Sequence, residues 1–221
     1  MSTKTADRFA NPSFWDGIAE KYSRRPVDDP AAFDRKTAFT KALIGPGRVL
    51  LDVGCGTGSL ALRLADSGAE IHALDASAEM IRIARSKKDD QGADNVTFHR
   101  GAFDASFERF LPESLDVVCA YSLLHLTGDR SGMLAHAHRL LKPGGRFISS
   151  TLCLGESWAP YGLLLGVMRR LGKAPHVSIF TKETLLADIR QAGFENVHEV
   201  DVGAISTVAF ISAEKKTKQQ R

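Results

Sequence analysis

The chain has 221 residues, of which 43% are hydrophobic and 25% are charged, as expected for a globular protein with a substantial core. The formal net charge is +3, and residues 213–221 carry all of it, so the folded body is predicted to be neutral and not to bind nucleic acid. The three cysteines match neither a disulfide framework nor a zinc site, and no apolar run reaches the ~18 residues of a membrane span. We therefore expect a cytoplasmic, metal-free protein.

Apolar periodicity and turn residues predict alternating helices and strands. Two helices, 14–22 and 31–44, precede the first strand at 48–53. Further strands are predicted at 70–74, 96–99, 115–120 and 146–152, separated by helices at 58–67, 77–88 and 130–141. Helices at 158–171 and 181–192 come next, and the runs 194–202 and 205–212 predict a hairpin through Gly203. This alternation indicates a doubly wound α/β sheet with helices on both faces.

The most informative stretch is LLDVGCGTG at 50–58, where a strand runs into a Gly-x-Gly-x-Gly turn and then a helix. Glycine allows a tight turn and a close approach of backbone to ligand. A dinucleotide fingerprint would place its third glycine at Ser59, whereas this chain has it at Gly58. Asp52 would repel a pyrophosphate but could accept a hydrogen bond from an ammonium group. A second acid, Asp75, ends the next strand, where a carboxylate can accept both ribose hydroxyls.

Five segments in order resemble the class I S-adenosylmethionine (SAM)-dependent methyltransferases. They are VLLDVGCGTG, HALDAS, SLDVVCAYSLLHL, LLKPGGRFISS and FTKETLLADIRQAGFENV. The opening FWDGIAEKY is similar to that of members that act on small molecules. Among these members, the chain most resembles the quinone-biosynthesis branch. The resemblance implies a Rossmann-like, seven-stranded mixed sheet whose last strand is antiparallel. It also implies one domain over 1–212, with a helical lid at 1–45, a helical cover at 153–180 and a disordered basic tail at 213–221.

The resemblance further implies a cofactor pocket at the ends of the first four strands. Its expected members are Asp52, Gly54, Cys55, Gly56 and Gly58 in the first turn, Asp75, Ala76 and Met80 after the second strand, Ala102, Phe103 and Asp104 after the third, and Tyr121 after the fourth. The first group would hold the methionine part of SAM, and the second group the ribose and adenine. The third group departs from the family pattern, because Ala102 stands where an acid is usual. Either Asp104 or the backbone of Phe103 would then hydrogen-bond to the edge of the adenine.

Two residues are candidates for the chemistry itself. Tyr22 would be a lid residue near the methyl donor, unless it only packs helix on sheet. His125 follows the fourth strand and could act as a base, although a lone histidine among leucines is more often structural. His136 and His138 are expected at the surface.

The predicted activity is methyl transfer from SAM to a small, lipophilic acceptor, with release of S-adenosylhomocysteine (SAH), by a monomer or homodimer. The apolar run at 163–168 is expected to be core or a lid, with contact to a lipid surface as the alternative. Two other functions remain open: a SAM-binding module without catalysis, and an NAD(P)-dependent oxidoreductase, which Ser59 and Asp52 disfavour.

Overall fold

The computed structural model describes residues 12–157, 161–172 and 174–217, apart from the side chain of Leu163. Seven strands form one sheet: β1 Val49–Val53, β2 Glu70–Asp75, β3 Val96–Arg100, β4 Leu115–Tyr121, β5 Leu141–Leu152, β6 Phe194–Glu199 and β7 Val208–Lys215. The helices are α1 Pro12–Arg24, α2 Pro30–Lys41, α3 Ser59–Leu64, α4 Ala78–Gln91, α5 Arg130–Leu140, α6 Tyr161–Arg170 and α7 Lys182–Gln191. The predicted elements are all present, with shifts of a few residues at their ends.

The strand order is β3-β2-β1-β4-β5-β7-β6. Strands β1 to β5 pair with one another in parallel, whereas β7 runs antiparallel to both β5 and β6. The chain leaves β3 at one edge and re-enters the sheet at β4, beside β1, which is the point where strand order reverses. In an open α/β sheet a ligand crevice forms at this point, beyond the carboxyl ends of the strands. The predicted fold class is confirmed.

Successive side chains of the buried strands point to opposite faces of the sheet and pack into two apolar cores, one on each face. Leu51 and Val53 join a cluster with α5 and α7, whereas Leu50 joins a cluster with α3 and α4. Local capping signals set where these helices begin. Ser77 caps α4 through Met80 N, and Thr181 caps α7 through Thr184 N.

One buried acid ties three strands together at the edge opposite the crevice. Asp116 of β4 accepts hydrogen bonds from Val49 N at 2.9 Å, from Arg48 at 2.8 Å and from Lys142 at 2.7 Å. Burial raises the pKa of Asp116, but these three donors outweigh it, and the pKa lies below its usual value. The amino ends of β1, β4 and β5 are thereby held at a common level, which sets the level of their carboxyl ends.

Two expectations about the periphery are wrong, and a third is only partly met. The basic tail does not begin at residue 213, because β7 continues to Lys215 and Ala213 is fully buried against the sheet; of the predicted tail, residues 218–221 lie outside the described part. His136 is buried rather than superficial and packs edge-on against Phe103. Leu164 and Val167 of α6 are about half exposed, so the outer side of this helix is not core, whereas its expected role as a lid stays a prediction.

Among the described residues, no helix is both long enough and apolar enough to span a bilayer. Residues 1–11 of the expected lid, and the first three residues of the helix predicted at 158–171, lie outside the described part.

Candidate active site

The crevice is formed where β2, β1 and β4 end side by side. Parallel pairing places Asp52 opposite both Ala73 of β2 and Cys119 of β4, and Val53 opposite Leu74. The residues that follow these strands, from Gly54, Asp75 and Ser122 onward, therefore emerge at the same edge of the sheet. Each turn brings backbone donors or a carboxyl group to that edge, as the sequence pattern predicts.

The glycine turn is held directly over β2, because Gly54 N and Cys55 N donate to Leu74 O at 2.8 and 3.0 Å. Gly54 has φ of +70°, which strains any other residue, and a Cβ there would lie 2.7 Å from Leu123 Cδ1, so that the Leu123 side chain would have to move. Gly58 has φ of +80°, and a Cβ there would lie 2.7 Å from Phe98 Cζ. Gly54 thus shapes the crevice, whereas Gly58 lets α3 pack on the sheet.

Asp75 is already oriented by the backbone around it. Its Oδ2 accepts from Gly56 N at 2.9 Å and its Oδ1 accepts from Ser77 N at 2.8 Å. Burial raises the pKa of Asp75, while the two backbone donors favour its ionised form. A carboxylate oxygen can accept more than one hydrogen bond, so both oxygens keep acceptor capacity for a ligand.

Asp52 lies beneath the glycine turn and is only 1% exposed. Its Oδ2 has no hydrogen-bond partner within the described part of the chain. Burial, reinforced by the negative charge of Asp75, raises the pKa of Asp52 to about 8. A buried carboxyl group without a partner is costly unless something binds it, so Asp52 marks the crevice as a place for a hydrogen-bond donor or a cation.

Two cavities open from this edge of the sheet. A narrow one, of about 110 Å³, contains Asp75 and the apolar residues after β2 and β3, including Ala76, Met80 and Phe103. A wide one, of about 490 Å³, contains Asp52 and extends between α2 and the ends of β5 and β7. Five residues line both: Tyr22, Gly54, Gly56, Tyr121 and Ser122. The two cavities therefore meet at the glycine turn.

The helical N-terminal segment supplies one wall. Asp16 of α1 accepts from Ser77 Oγ at 2.6 Å and from Glu79 N at 3.1 Å, which fixes α1 on the start of α4. This places Tyr22 over the glycine turn: its Cε1 would lie 3.7 Å from a Cβ added to Gly56. The Tyr22 ring packs edge-on against Trp15. Its ring is 43% exposed, so it covers the junction of the two cavities without being buried in the core.

The opposite wall comes from the loop after β4. The Tyr121 hydroxyl donates to Lys36 O at 3.1 Å and contacts Thr40 Oγ1 at 2.9 Å, so α2 holds its ring in place. Ser122 has φ of +54°, a conformation that is strained for serine, and its N–H donates to Ser150 O at 2.7 Å. Strain of this kind is common in residues that shape a binding site.

His125 lines the wide cavity and is 8% exposed. Its Nδ1 has no partner among the described residues, and burial lowers its pKa to about 4. The imidazole is therefore neutral at pH 7 and free to accept or donate one hydrogen bond.

Residues 44–211 match the family model for a methyltransferase domain. The chain belongs to the class I SAM-dependent methyltransferases. The biotin biosynthesis bifunctional protein BioHC of Saccharophagus degradans is 30% identical over 90% of this chain and 37% of that protein. The ubiquinone biosynthesis O-methyltransferase of Ruegeria pomeroyi is 33% identical over 75% of this chain and 66% of that protein.

Solved structures agree on the fold of this chain. Phosphoethanolamine N-methyltransferase 2 of Haemonchus contortus, bound to phosphomonomethylethanolamine and SAH, has a TM-score of 0.75 at 17% identity, over 93% of this chain and 60% of that one. The chain spans less than half the length of several curated relatives, among them BioHC and the ubiquinone biosynthesis O-methyltransferase of Pseudomonas entomophila.

The crevice fits SAM by the chemistry of its polar groups. An ammonium group would satisfy the unpartnered carboxyl group of Asp52, and a diol would satisfy the free acceptor capacity of Asp75. The narrow cavity beside Asp75 has the apolar walls that an aromatic base requires. Phosphates at the glycine turn would lie beside the carboxyl groups of Asp52 and Asp75.

Most of the predicted site residues lie together. Those that line a cavity are Tyr22, Asp52, Gly54, Cys55, Gly56, Asp75, Ala76, Met80, Ala102, Phe103, Tyr121 and His125. Gly58 does not, and neither does Asp104, whose Oδ1 instead accepts from Ser106 N at 2.8 Å within its own turn. The backbone at Ala102 and Phe103 is left to face the narrow cavity.

Several residues that line the two cavities were not predicted from the sequence: Leu74, Leu123, Leu126, Met133, Lys36 and Thr151. The apolar members are indistinguishable from core residues by pattern. The strain at Ser122 and the unpartnered Thr151 hydroxyl are visible only in three dimensions.

Substitution of Asp52 by asparagine is expected to stabilise the free protein increasingly as pH rises. Between about pH 4, where an unfolded aspartate ionises, and pH 8, the folded chain keeps a proton on Asp52 that the unfolded chain has released. Wild-type stability therefore falls across this window, whereas the asparagine variant has no such proton. We expect the difference in unfolding free energy to grow by more than about 1 kcal/mol between pH 5 and pH 8.

Urea unfolding at both pH values measures this difference. Exposed Asp94, changed to asparagine, is the matched control and should show little pH-dependent change. A constant difference for the Asp52 variant would mean that the buried carboxyl group is ionised in the free protein.

Proposed function

We propose that the protein transfers the methyl group of SAM to a small-molecule acceptor and releases SAH. The observation that carries this proposal is the pair of carboxyl groups, Asp52 and Asp75, at the ends of two adjacent strands on either side of a glycine turn. One faces a narrow apolar cavity and the other a wide one. This arrangement matches a ligand with an ammonium group at one end and a nucleoside at the other.

The binding roles follow from the contacts. Asp52 would accept the ammonium group, and its pKa would fall as the ion pair forms. Asp75 would accept the ribose hydroxyls while Gly56 N and Ser77 N keep its carboxylate oriented. Ala76 and Met80 would pack against the adenine, whose edge would be read by the backbone at Phe103.

When bound, SAM supplies a methyl group activated by the sulfonium. What remains for the chain is to hold the acceptor in line with that group and to exclude water, since orientation alone can contribute ~7–11 kcal/mol. Tyr22 covers the junction between the cavities, where it would close over the methyl group. If the acceptor atom bears a hydrogen, neutral His125 can take the proton as the new bond to carbon forms and the bond to sulfur breaks.

Two alternatives predict different binding. An oxidoreductase would retain NAD(H) or NADP(H) in the crevice. The carboxyl groups of Asp52 and Asp75 disfavour this alternative, because they would repel the pyrophosphate of such a cofactor. A SAM-binding module without catalysis would bind SAM and SAH but transfer no methyl group. The wide cavity, with the unpartnered Thr151 hydroxyl and His125 imidazole, favours a catalyst, because it offers binding groups beyond those that SAM would occupy.

Replacement of Asp75 by alanine is expected to weaken SAM binding at least roughly tenfold, because the acceptor of the ribose hydroxyls is removed. Calorimetry with SAM, SAH and NADH measures this for the wild type and the variant, and circular dichroism confirms that both are folded. Retention of NADH but not of SAM by the wild type would refute the proposed function. Equal SAM affinity in the folded variant would refute only the role of Asp75.

Changes at Tyr22 and His125 are expected to affect turnover more than SAM binding. Tyr22→Phe keeps the covering ring and should retain most of the activity, whereas Tyr22→Ala should lower kcat. His125→Gln should lower kcat by about 10²-fold if the acceptor loses a proton. The rate of methyl transfer is measured with SAM that carries a labelled methyl group and with acceptors from a cell extract. The Kd for SAM is measured separately for each variant. Unchanged kcat in the alanine and glutamine variants would make both residues structural.

We also propose that the protein works in the cytoplasm and touches a lipid surface through α6. Its three cysteines are free thiols, as in reducing compartments. Leu164, Val167 and Leu171 are 53%, 51% and 63% exposed, and their spacing places them on one side of the helix. Residues 157–182 contain four basic residues and no acidic one, a charge that favours an anionic surface.

Co-sedimentation with vesicles tests this contact. Binding to vesicles that contain phosphatidylglycerol is expected to exceed binding to pure phosphatidylcholine, and the double substitution of Leu164 and Val167 by glutamine should abolish the difference. Leu111, 78% exposed at a distant turn, is the control for loss of an apolar side chain. Equal sedimentation of the double variant and the wild type would disprove the contact.

A further inference from the structure

The charged residues that line the wide cavity differ in whether they have a partner. Arg25 forms an ion pair with Asp28 at 2.6 Å, and Asp29 accepts from Ala32 N at the start of α2. Asp52 lies at the far end, beneath the glycine turn. Each of these groups has a partner or a proposed role in SAM binding. Lys36, the remaining charged residue of the lining, has neither.

Lys36 lies in the middle of α2 and is half-buried. Its ammonium group has no hydrogen bond or ion pair within the described part of the chain, although its backbone carbonyl accepts from Tyr121. Burial lowers its pKa, and the charge of Asp29 opposes this only in part. A half-buried cation without a partner is destabilising, and a bound anion would offset that cost.

The neighbouring walls of the cavity are apolar or uncharged. They include Val27, Phe33, Leu152, Ile205 and Val208, together with the hydroxyls of Ser150 and Thr151. Thr151 is 1% exposed, and its Oγ1 lacks a partner among the described residues. A molecule beside Lys36 would therefore meet apolar side chains of α2, β5 and the segment before β7, together with the Lys36 ammonium group and the unpartnered Thr151 hydroxyl.

We propose that the acceptor is a small apolar molecule with an anionic oxygen group, such as a carboxylate, which binds in the wide cavity on the Lys36 ammonium group. The inference rests on the proposed methyl transfer, since it assigns the wide cavity to the acceptor. Lys36 is a binding determinant in this scheme. Its loss raises KM for the acceptor and leaves SAM affinity unchanged.

Matched acids and amides test the charge requirement directly. Phenylacetate, cinnamate and naphthoate are titrated into the SAH-loaded protein by calorimetry, each beside its neutral amide. We expect the wild type to prefer at least one acid over its amide by about tenfold or more. Lys36→Met should remove this preference, and Lys36→Arg should keep part of it. Lys41→Met is the control, because Lys41 lies on the same helix but pairs with Asp66 outside the cavity.

The outcomes separate this inference from the proposed function. Failure to bind SAH contradicts the proposed function, and the acid–amide comparison is then repeated on the free protein. If no acid is preferred over its amide, or if Lys36→Met keeps the preference, the anion site is refuted while SAM binding stands. A parallel loss of preference in Lys41→Met would likewise refute a specific role for Lys36.

Discussion

The parallel pairing of β1 with β2 on one side and with β4 on the other is the constraint on which the site depends. It brings three chain turns to one edge of the sheet, although they are separated by tens of residues in sequence. Asp116 holds the opposite edge, where it binds Val49 N, Arg48 and Lys142. Because a strand is nearly inextensible, a fixed amino end determines how far each carboxyl end projects into the crevice.

Within that frame, the site concentrates features that oppose stability. Asp52 is buried without a partner, Ser122 is held at positive φ, and the Lys36 ammonium group is half-buried and unpaired in the described structure. Each has an unfavourable free energy in the free protein that a ligand could offset. The apolar clusters on both faces of the sheet supply the stability that tolerates them. Their accumulation around two joined cavities is what distinguishes a binding site from imperfect packing.

The sequence predicted the parts of the site that are local in the chain. A buried strand, its terminal acid and the glycine turn are adjacent in sequence, so Asp52, Gly54 and Gly56 could be placed by pattern, and Asp75 by the next strand. Asp104 could not be excluded in this way, because its local turn with Ser106 competes with the crevice for the same carboxylate. Lys36 and Thr151 could not be found at all, since only the fold brings α2 to the end of β5.

The same distinction bears on what determines the acceptor. The narrow cavity is built from the turns that carry the family motifs, and its groups match a cofactor common to the family. The wide cavity shares the glycine turn and the loop after β4 with those motifs, but it adds walls from α2, from Thr151 and Leu152 of β5 and from the segment before β7, which lie outside them. Its chemistry therefore belongs to this chain, and relatives that share the glycine turn need not share the acceptor. Substrate choice is then a question of which charge and shape α2 presents to the space beyond Tyr22, and on that wall the ammonium group of Lys36 is a cation that no hydrogen bond or ion pair holds in the described structure.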